Sequence, residues 1–234
     1  MTTMNVLLMQ MPAWGWPVIY FLLFLIIGAL ASKTFLGWVF ISPSKSGLVE
    51  KKWSLKGDLP VGKIIATNGE AGVQAELLAP GLHWFKWWWM YSITQIDPIE
   101  IPSGCIGVIK AENGAPLESG LILAKTVIDS NDYQDAKKFL DNGGVIGTQR
   151  QFLRNGIYRI NTTLFKVTTH HATKIPEGSI GIVTVNDGKS IKTGEIAARV
   201  TVEHKKFQDA DEFLNKGGER GLQEEILPPG EYYI

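Results

Sequence analysis

Cysteine is nearly absent from this chain of 234 residues: Cys105 stands alone. One thiol makes no internal disulfide and no thiolate zinc site, so neither staples the fold. Net charge is missing too, because 23 basic and 23 acidic side chains cancel to +0. That leaves no chain-wide basic footprint for nucleic acid and no acidic excess of the solvating, disordered kind. Side-chain charge is wholly absent from Met1 through Ser32. Glycine, at 25 residues against 11 prolines, is what the chain has in plenty, which suits short strands joined by turns better than a helical bundle.

Within the uncharged start, Val18, Ile19, Phe21, Leu22, Leu23, Phe24, Leu25, Ile26 and Ile27 form an apolar run. With its flanks it is long enough to cross a bilayer, which takes about 20 apolar residues. Trp14, Trp16 and Trp38 flank it at the two levels where amphipathic rings meet headgroups. The reading is a single transmembrane helix over about 17–40. Two other readings stand beside it. Ala29-Leu30-Ala31 resembles a signal-peptidase site, although no Lys or Arg precedes the run. A helix apolar all round also fits a large soluble core. Lys33, Lys45, Lys51, Lys52 and Lys56 come after the run with only Glu50 against them. By the positive-inside rule this puts the C-terminal bulk in the cytoplasm, with Lys51 and Lys52 at the lipid surface.

The remainder of the chain repeats itself. Residues 101–160 laid over 175–234 at a constant shift of 74 agree at about 22 positions of 60 without a gap. Ile101-Pro102-x-Gly104-x-Ile106-Gly107 returns as Ile175-Pro176-x-Gly178-x-Ile180-Gly181, and Gln134-Asp135-Ala136-x-x-Phe139-Leu140 as Gln208-Asp209-Ala210-x-x-Phe213-Leu214. A pattern G-x-x-G-x-Q-x-x-x-L-x-x-G-x-aromatic occurs three times, closing on His83, Tyr158 and Tyr232. The expected organisation is an N-terminal region, 1–40, and three units, 41–100, 101–171 and 172–234. The third stops at the equivalent of Ile160, so the chain reads as the N-terminal part of a longer polypeptide.

Each unit reads as mostly strand. Ile-Pro-x-Gly opens onto β-branched residues, and Glu112-Asn113-Gly114 and Asn186-Asp187-Gly188 signal hairpin turns. Asn131-Asp132 offers an N-cap to a helix of about three turns carrying Tyr133, Ala136, Phe139 and Leu140, with Gly143 as its left-handed stop. The fold class expected is α+β: a transmembrane helix, then tandem mostly-β units, the last two with one short helix each. The glycines read as turns, since no G-K-[ST] comes after them.

The first unit lacks the helix and ends in His83-Trp84-Phe85-Lys86-Trp87-Trp88-Trp89-Met90-Tyr91. Successive strand residues face opposite ways, so Trp87, Trp88 and Trp89 cannot all enter one core. Contact with a membrane surface and packing against a neighbouring unit or subunit both fit.

The membrane segment with Gly47-Leu48-Val49-Glu50-Lys51-Lys52, Leu59-Pro60-x-Gly62, Gly69-Glu70-Ala71-Gly72-Val73-Gln74 and Leu78-Ala79-Pro80-Gly81-Leu82-His83 resembles the SPFH or Band 7 superfamily of stomatins, prohibitins and flotillins, and most of all its large bacterial flotillin-like members. The resemblance covers 38–234, and the tandem units are similar in plan to the β-rich repeats of the vault shell. It implies a membrane-anchored scaffold that packs side by side into a ring or cage and organises a membrane microdomain. The alternative it implies is an enclosure around a membrane protease or other membrane client. The partners implied are the chain itself, alone or with a paralogue, and membrane lipids, with no nucleic acid. The coiled coil usual in the family has no counterpart here.

No enzyme is expected. His83, His170, His171 and His204 are scattered, Cys105 shows no general-base partner in the sequence, and no third ligand is spaced to join His170-His171. Catalytic, cofactor-binding and metal-binding residues are therefore expected to be none. The zero net charge is itself an average, since residues 33–56 carry about +4, the second unit about +2 and the third about −3.

Overall fold

The computed structural model describes residues 15–234, except the side chains of Leu30, Lys33 and Thr34. Among these residues the chain forms small β-sheets and three helices. Helix α1 (Gly15–Leu36) leads into β1 (Val39–Ile41), and β2 (Ser46–Lys51), β3 (Ile65–Ala66), β4 (Gly72–Leu78), β5 (Gly81–His83) and β6 (Tyr91–Ile96) succeed it. The next stretch holds β7 (Ile99–Ile101), β8 (Cys105–Ala111), β9 (Leu123–Ala124), α2 (Ala136–Asp141), β10 (Gly147–Gln149), β11 (Gly156–Tyr158) and β12 (Phe165–His171). Last come β13 (Thr173–Ile175), β14 (Gly181–Val185), β15 (Lys189–Ser190), α3 (Ala210–Asn215), β16 (Glu219–Leu227) and β17 (Gly230–Tyr232).

The sheets repeat one plan. Their orders are β3-β4-β2-β6, β12-β8-β10-β9 and β14-β16-β15, each accompanied by a two-stranded pair, β1-β5, β7-β11 and β13-β17. In each sheet the strand after the opening turn pairs antiparallel with the glutamine-bearing strand, and a short third strand joins that one in parallel. The motif that occurs three times has a mechanical basis. The side-chain amides of Gln74, Gln149 and Gln223 each donate to the carbonyls four and two residues back, at 2.8–3.0 Å. The last aromatic closes the next turn the same way. Tyr158 Oη donates to the Arg154 carbonyl at 3.1 Å, Tyr232 Oη to the Pro228 carbonyl at 2.8 Å, and His83 Nε2 lies 2.7 Å from the Ala79 carbonyl.

The short helices are shorter than their sequence suggests. Each spans six residues and begins after an aspartate N-cap, Asp135 accepting from the Lys138 N–H and Asp209 from the Glu212 N–H. The residues expected to form the first turn are left-handed instead: φ is +50°, +49° and +62° at Asn131, Asp132 and Tyr133, and +49°, +56° and +66° at Lys205, Lys206 and Phe207. Three consecutive residues in that region, each unfavourable for a side chain bearing Cβ, recur 74 residues apart. At the other end Gly143 and Gly217 are left-handed, and Gly144 and Gly218 N–H donate back to Phe139 and Phe213 carbonyls at 2.8 and 2.9 Å, closing each helix as expected.

Three expectations need correction. First, the fold is mostly small β-sheets rather than α+β with a transmembrane helix. Helix α1 ends at Leu36, where Gly37 at φ +56° turns the chain into β1, so 37–40 do not continue it. Among the described residues no helix is long and apolar enough to cross a membrane. Second, the single-pass membrane placement with a cytoplasmic bulk falls with the span, because the positive-inside rule counts lysines only beside a crossing helix. Third, the Asn-Gly turns do not close hairpins. After Gly114 the chain runs parallel to the Gly144–Val145 segment, and after Gly188 strand β15 runs parallel to β16.

One core joins the first two units, from Ile65 and Ala75 to Ile101, Ile109, Leu153 and Leu164. At its centre Phe165 packs edge to face on Tyr133 and Phe139, which lie tilted on each other, with ring centroids 4.9–5.9 Å apart. Burial pushes the Tyr133 hydroxyl well above its ordinary pKa, aided by the Asp211 and Asp132 carboxylates. It donates instead to the Gln151 carbonyl at 3.3 Å.

Candidate assembly surfaces

Two seams show how one unit docks on the next. At the first, α2 packs on β4, Lys137 reaches Glu76 at 3.6 Å, and Arg159 donates to the Pro43 carbonyl at 3.2 Å. Fully buried Asn161 donates from Nδ2 to the Gln74 and Ala75 carbonyls at 3.0 and 3.1 Å, while its Oδ1 accepts from Thr163 and Leu164 N–H. At the second seam Asp211, the repeat equivalent of Lys137, faces Arg150 at 3.6 Å. The sign of the helix-side residue is reversed, and its partner comes from a neighbouring position of the repeat, since Glu76 corresponds to Gln151 and Arg150 to Ala75. Asp187 Oδ2 also accepts from the Ile122 and Leu123 N–H at 3.3 and 2.9 Å. Each seam leaves a polar cleft. One of about 430 Å³ holds Glu76, Gln134 and Arg159, and one of about 340 Å³ holds Arg150, Gln208 and Asp211.

The tryptophan cluster forms a platform at the end of the first unit. Trp87 and Trp89 stack at 5.6 Å, Trp89 and Trp53 at 6.2 Å, and Lys86 Nζ sits 4.9 Å over the Tyr91 ring. Trp87 Nε1 donates to the Phe35 carbonyl at 3.0 Å. The alternation expected along the run does not occur, because β5 ends at His83 and 88–90 form a turn: Trp87 is half-buried, whereas Trp88 is 64% and Trp89 44% exposed, beside exposed Trp53, Trp84 and Phe85.

The remaining residues singled out from the sequence scatter differently. Val18 and Phe21 to Ile27 lie exposed on α1 and Ile19 half-buried; Trp16 sits 6.2 Å from Tyr20 on the same helix, and Trp38 is half-buried beyond its end. Trp14 lies outside the described residues. The lysines expected at a lipid surface hold loops. Lys51 Nζ donates to Ser54 Oγ and the Gly69 carbonyl, Lys52 Nζ to the Trp88 carbonyl, and Lys56 Nζ to the Asn68 carbonyl. Lys52 thereby fixes the platform from behind.

The structure also brings together a pair the sequence did not reveal. Cys105 Sγ lies 3.3 Å from His171 Nδ1, because β8 and β12 pair those positions directly. The thiol is buried and in no disulfide. No cluster of three metal-ligating side chains occurs among the described residues.

Set against family models, curated proteins and solved structures, the chain matches none. Its function is therefore read from these surfaces.

Proposed function

We propose that this chain is a self-associating repeat scaffold of SPFH or Band 7 type, whose copies pack side by side through the tryptophan platform. The observation that carries the reading is the platform itself. Five aromatic side chains, Trp53, Trp84, Phe85, Trp88 and Trp89, are exposed in this region; Trp53 and Trp89 are stacked, Phe85 leans on Trp87, and the Trp88 carbonyl accepts from Lys52. Clustered exposed aromatics mark interfaces, and tryptophan is the residue most enriched at their energetic centres. Because Trp53 and Trp89 are already stacked, little of their side-chain entropy is lost on docking. The seams support the same reading, since units of this design already bind one another within the chain through a helix, an ion pair and buried amide hydrogen bonds.

Amine cross-linking of an equal mixture of light and heavy-isotope chains tests it. Lys52 and Lys86 border the platform, so links through them should join light to heavy chains, and Trp88→Ser with Trp89→Ser should remove those links. Cross-links confined within single chains would refute the reading. A client enclosure would instead place a stoichiometric foreign chain at the same lysines.

A further inference from the structure

We propose that the cleft at the second seam binds one free α-amino acid per chain, its carboxylate on Arg150 and Arg154 and its ammonium on Asp211. The site stands on side chains left without hydrogen bonds and is independent of self-association through the platform.

Arg150 forms its floor. The side chain is 8% exposed, and the backbone N–H, donating to the Ala124 carbonyl at 3.1 Å, fixes the stem. Among the described residues the guanidinium makes no hydrogen bond. Its Nε is buried without a partner, and the oxygen it pairs with, Asp211 Oδ1, stands 3.6 Å from Nη1, beyond hydrogen-bond reach. That oxygen is buried as well and accepts no hydrogen bond. A buried cation and a buried anion that both lack hydrogen bonds cost far more than a satisfied pair, so this wall of the cleft is poised for groups from outside the chain.

The neighbouring polar side chains are already engaged. Asp132 Oδ1 accepts from Gln151 Nε2 at 3.2 Å, and Asp209 accepts from the Glu212 N–H and from Lys205 Nζ, both at 3.2 Å. Gln208 donates to the Lys205 carbonyl and accepts from the Tyr233 N–H. Left over are two guanidinium groups, of buried Arg150 and of exposed Arg154 at the rim, and the Asp211 carboxylate.

The repeat supplies a comparison. Arg150 and Arg154 correspond to Ala75 and Ala79 in the first unit and to Glu224 and Pro228 in the third, and Asp211 corresponds to Lys137. The cleft at the first seam has neither arginine, and its own Arg159 is tied to the Pro43 carbonyl. Docking of one unit on the next therefore does not require the two arginines, which occur together with the reversed helix charge at one seam alone.

These leftovers select the ligand. A guanidinium matches the planar, two-oxygen geometry of a carboxylate, and Asp211 beside it calls for a cationic donor. The cleft, at about 340 Å³, lies at the small end of ligand pockets. A small molecule that carries a carboxylate and an ammonium on one carbon, as side by side as Arg150 and Asp211 are, is an α-amino acid.

Equilibrium dialysis of the full chain against each of the common α-amino acids in turn is the test. At least one should be taken up at one per chain. Its N-acetyl derivative, which lacks the ammonium, and its amide, which lacks the carboxylate, should each bind at least about tenfold more weakly. Arg150→Met and Asp211→Asn should weaken uptake by a similar factor, whereas Lys137→Met at the first seam should leave it unchanged. Urea titration shows which variants fold, and if Arg150→Met does not, Asp211→Asn and the two derivatives decide. Uptake of no amino acid, uptake indifferent to Asp211→Asn, or acetate bound as tightly as the amino acid would overturn the proposal.

Discussion

Replacing Phe165 by alanine removes the ring that clamps β12 to the second unit. That ring is 1% exposed and its centroid lies 4.9 Å from Phe139 and 5.4 Å from Tyr133. Full burial of such a side chain contributes about 1.5–3 kcal/mol. The void left among two other aromatics adds a cavity contribution, bringing the expected loss to about 3–5 kcal/mol. Phe213 supplies an internal control. It is also buried, but one side of its ring already faces a cavity of about 270 Å³, so fewer neighbours are lost and Phe213→Ala should cost about 2–3 kcal/mol. Urea titration of the full chain gives the total, and hydrogen exchange along β8 and β12 locates it: Phe165→Ala should expose both strands, Phe213→Ala neither. A cost below about 1 kcal/mol for Phe165→Ala, or one no larger than for Phe213→Ala, would refute the reasoning that this ring is the strut of the sheet.

Four further outcomes rest on the same geometry. Gln149→Leu strands the Val145 and Gly147 carbonyls and should cost about 2 kcal/mol in urea titration, with Gln223→Leu close behind. Asn161→Ala removes both donors to β4 and should loosen the first seam, read as faster exchange in 72–78 with the third unit unchanged. Lys206→Gly relieves a left-handed residue whose side chain is exposed, and should raise stability by about 0.5–1 kcal/mol where a glycine substitution ordinarily lowers it. Finally, the Lys216 ammonium donating to Glu203 at 2.6 Å holds that carboxyl below its ordinary range. A depressed carboxylate favours the fold above its unfolded pKa and loses that contribution as pH falls through the lower folded value. Acid should therefore free the 203–216 contact, and Glu203→Gln, followed by the Lys216 amine shift in NMR, should abolish that pH response.

How much of this was legible in the residues differs by element. The 74-residue shift, the glycine stops of α2 and α3, and the turn role of the glycines could be read directly, because left-handed stops depend on chemistry within a few positions. The hairpins could not. Asn113-Gly114 and Asp187-Gly188 look like two-residue turns, but their neighbours pair with strands about thirty residues on, so tertiary pairing overrides the local signal. The left-handed turns at 131–133 and 205–207 were hidden as well: Asn131-Asp132 reads as an N-cap, whereas the caps are Asp135 and Asp209, each after a left-handed turn. Phe165 carried no local mark as a strut, and Cys105 meets His171 only through the register of two strands. The uncharged start reads as a span from its hydropathy and its flanking tryptophans, whereas among the described residues no helix is long and apolar enough to cross a membrane.

Sedimentation velocity of the full chain, side by side with the Trp88→Ser, Trp89→Ser double variant, tests the scaffold reading most directly. The account predicts a species several times the 25.9 kDa of one chain, shifting towards monomer in the double variant while urea titration shows both equally folded. A wild-type chain sedimenting as a monomer at tens of micromolar, or an oligomer unmoved by loss of both exposed tryptophans, would contradict it.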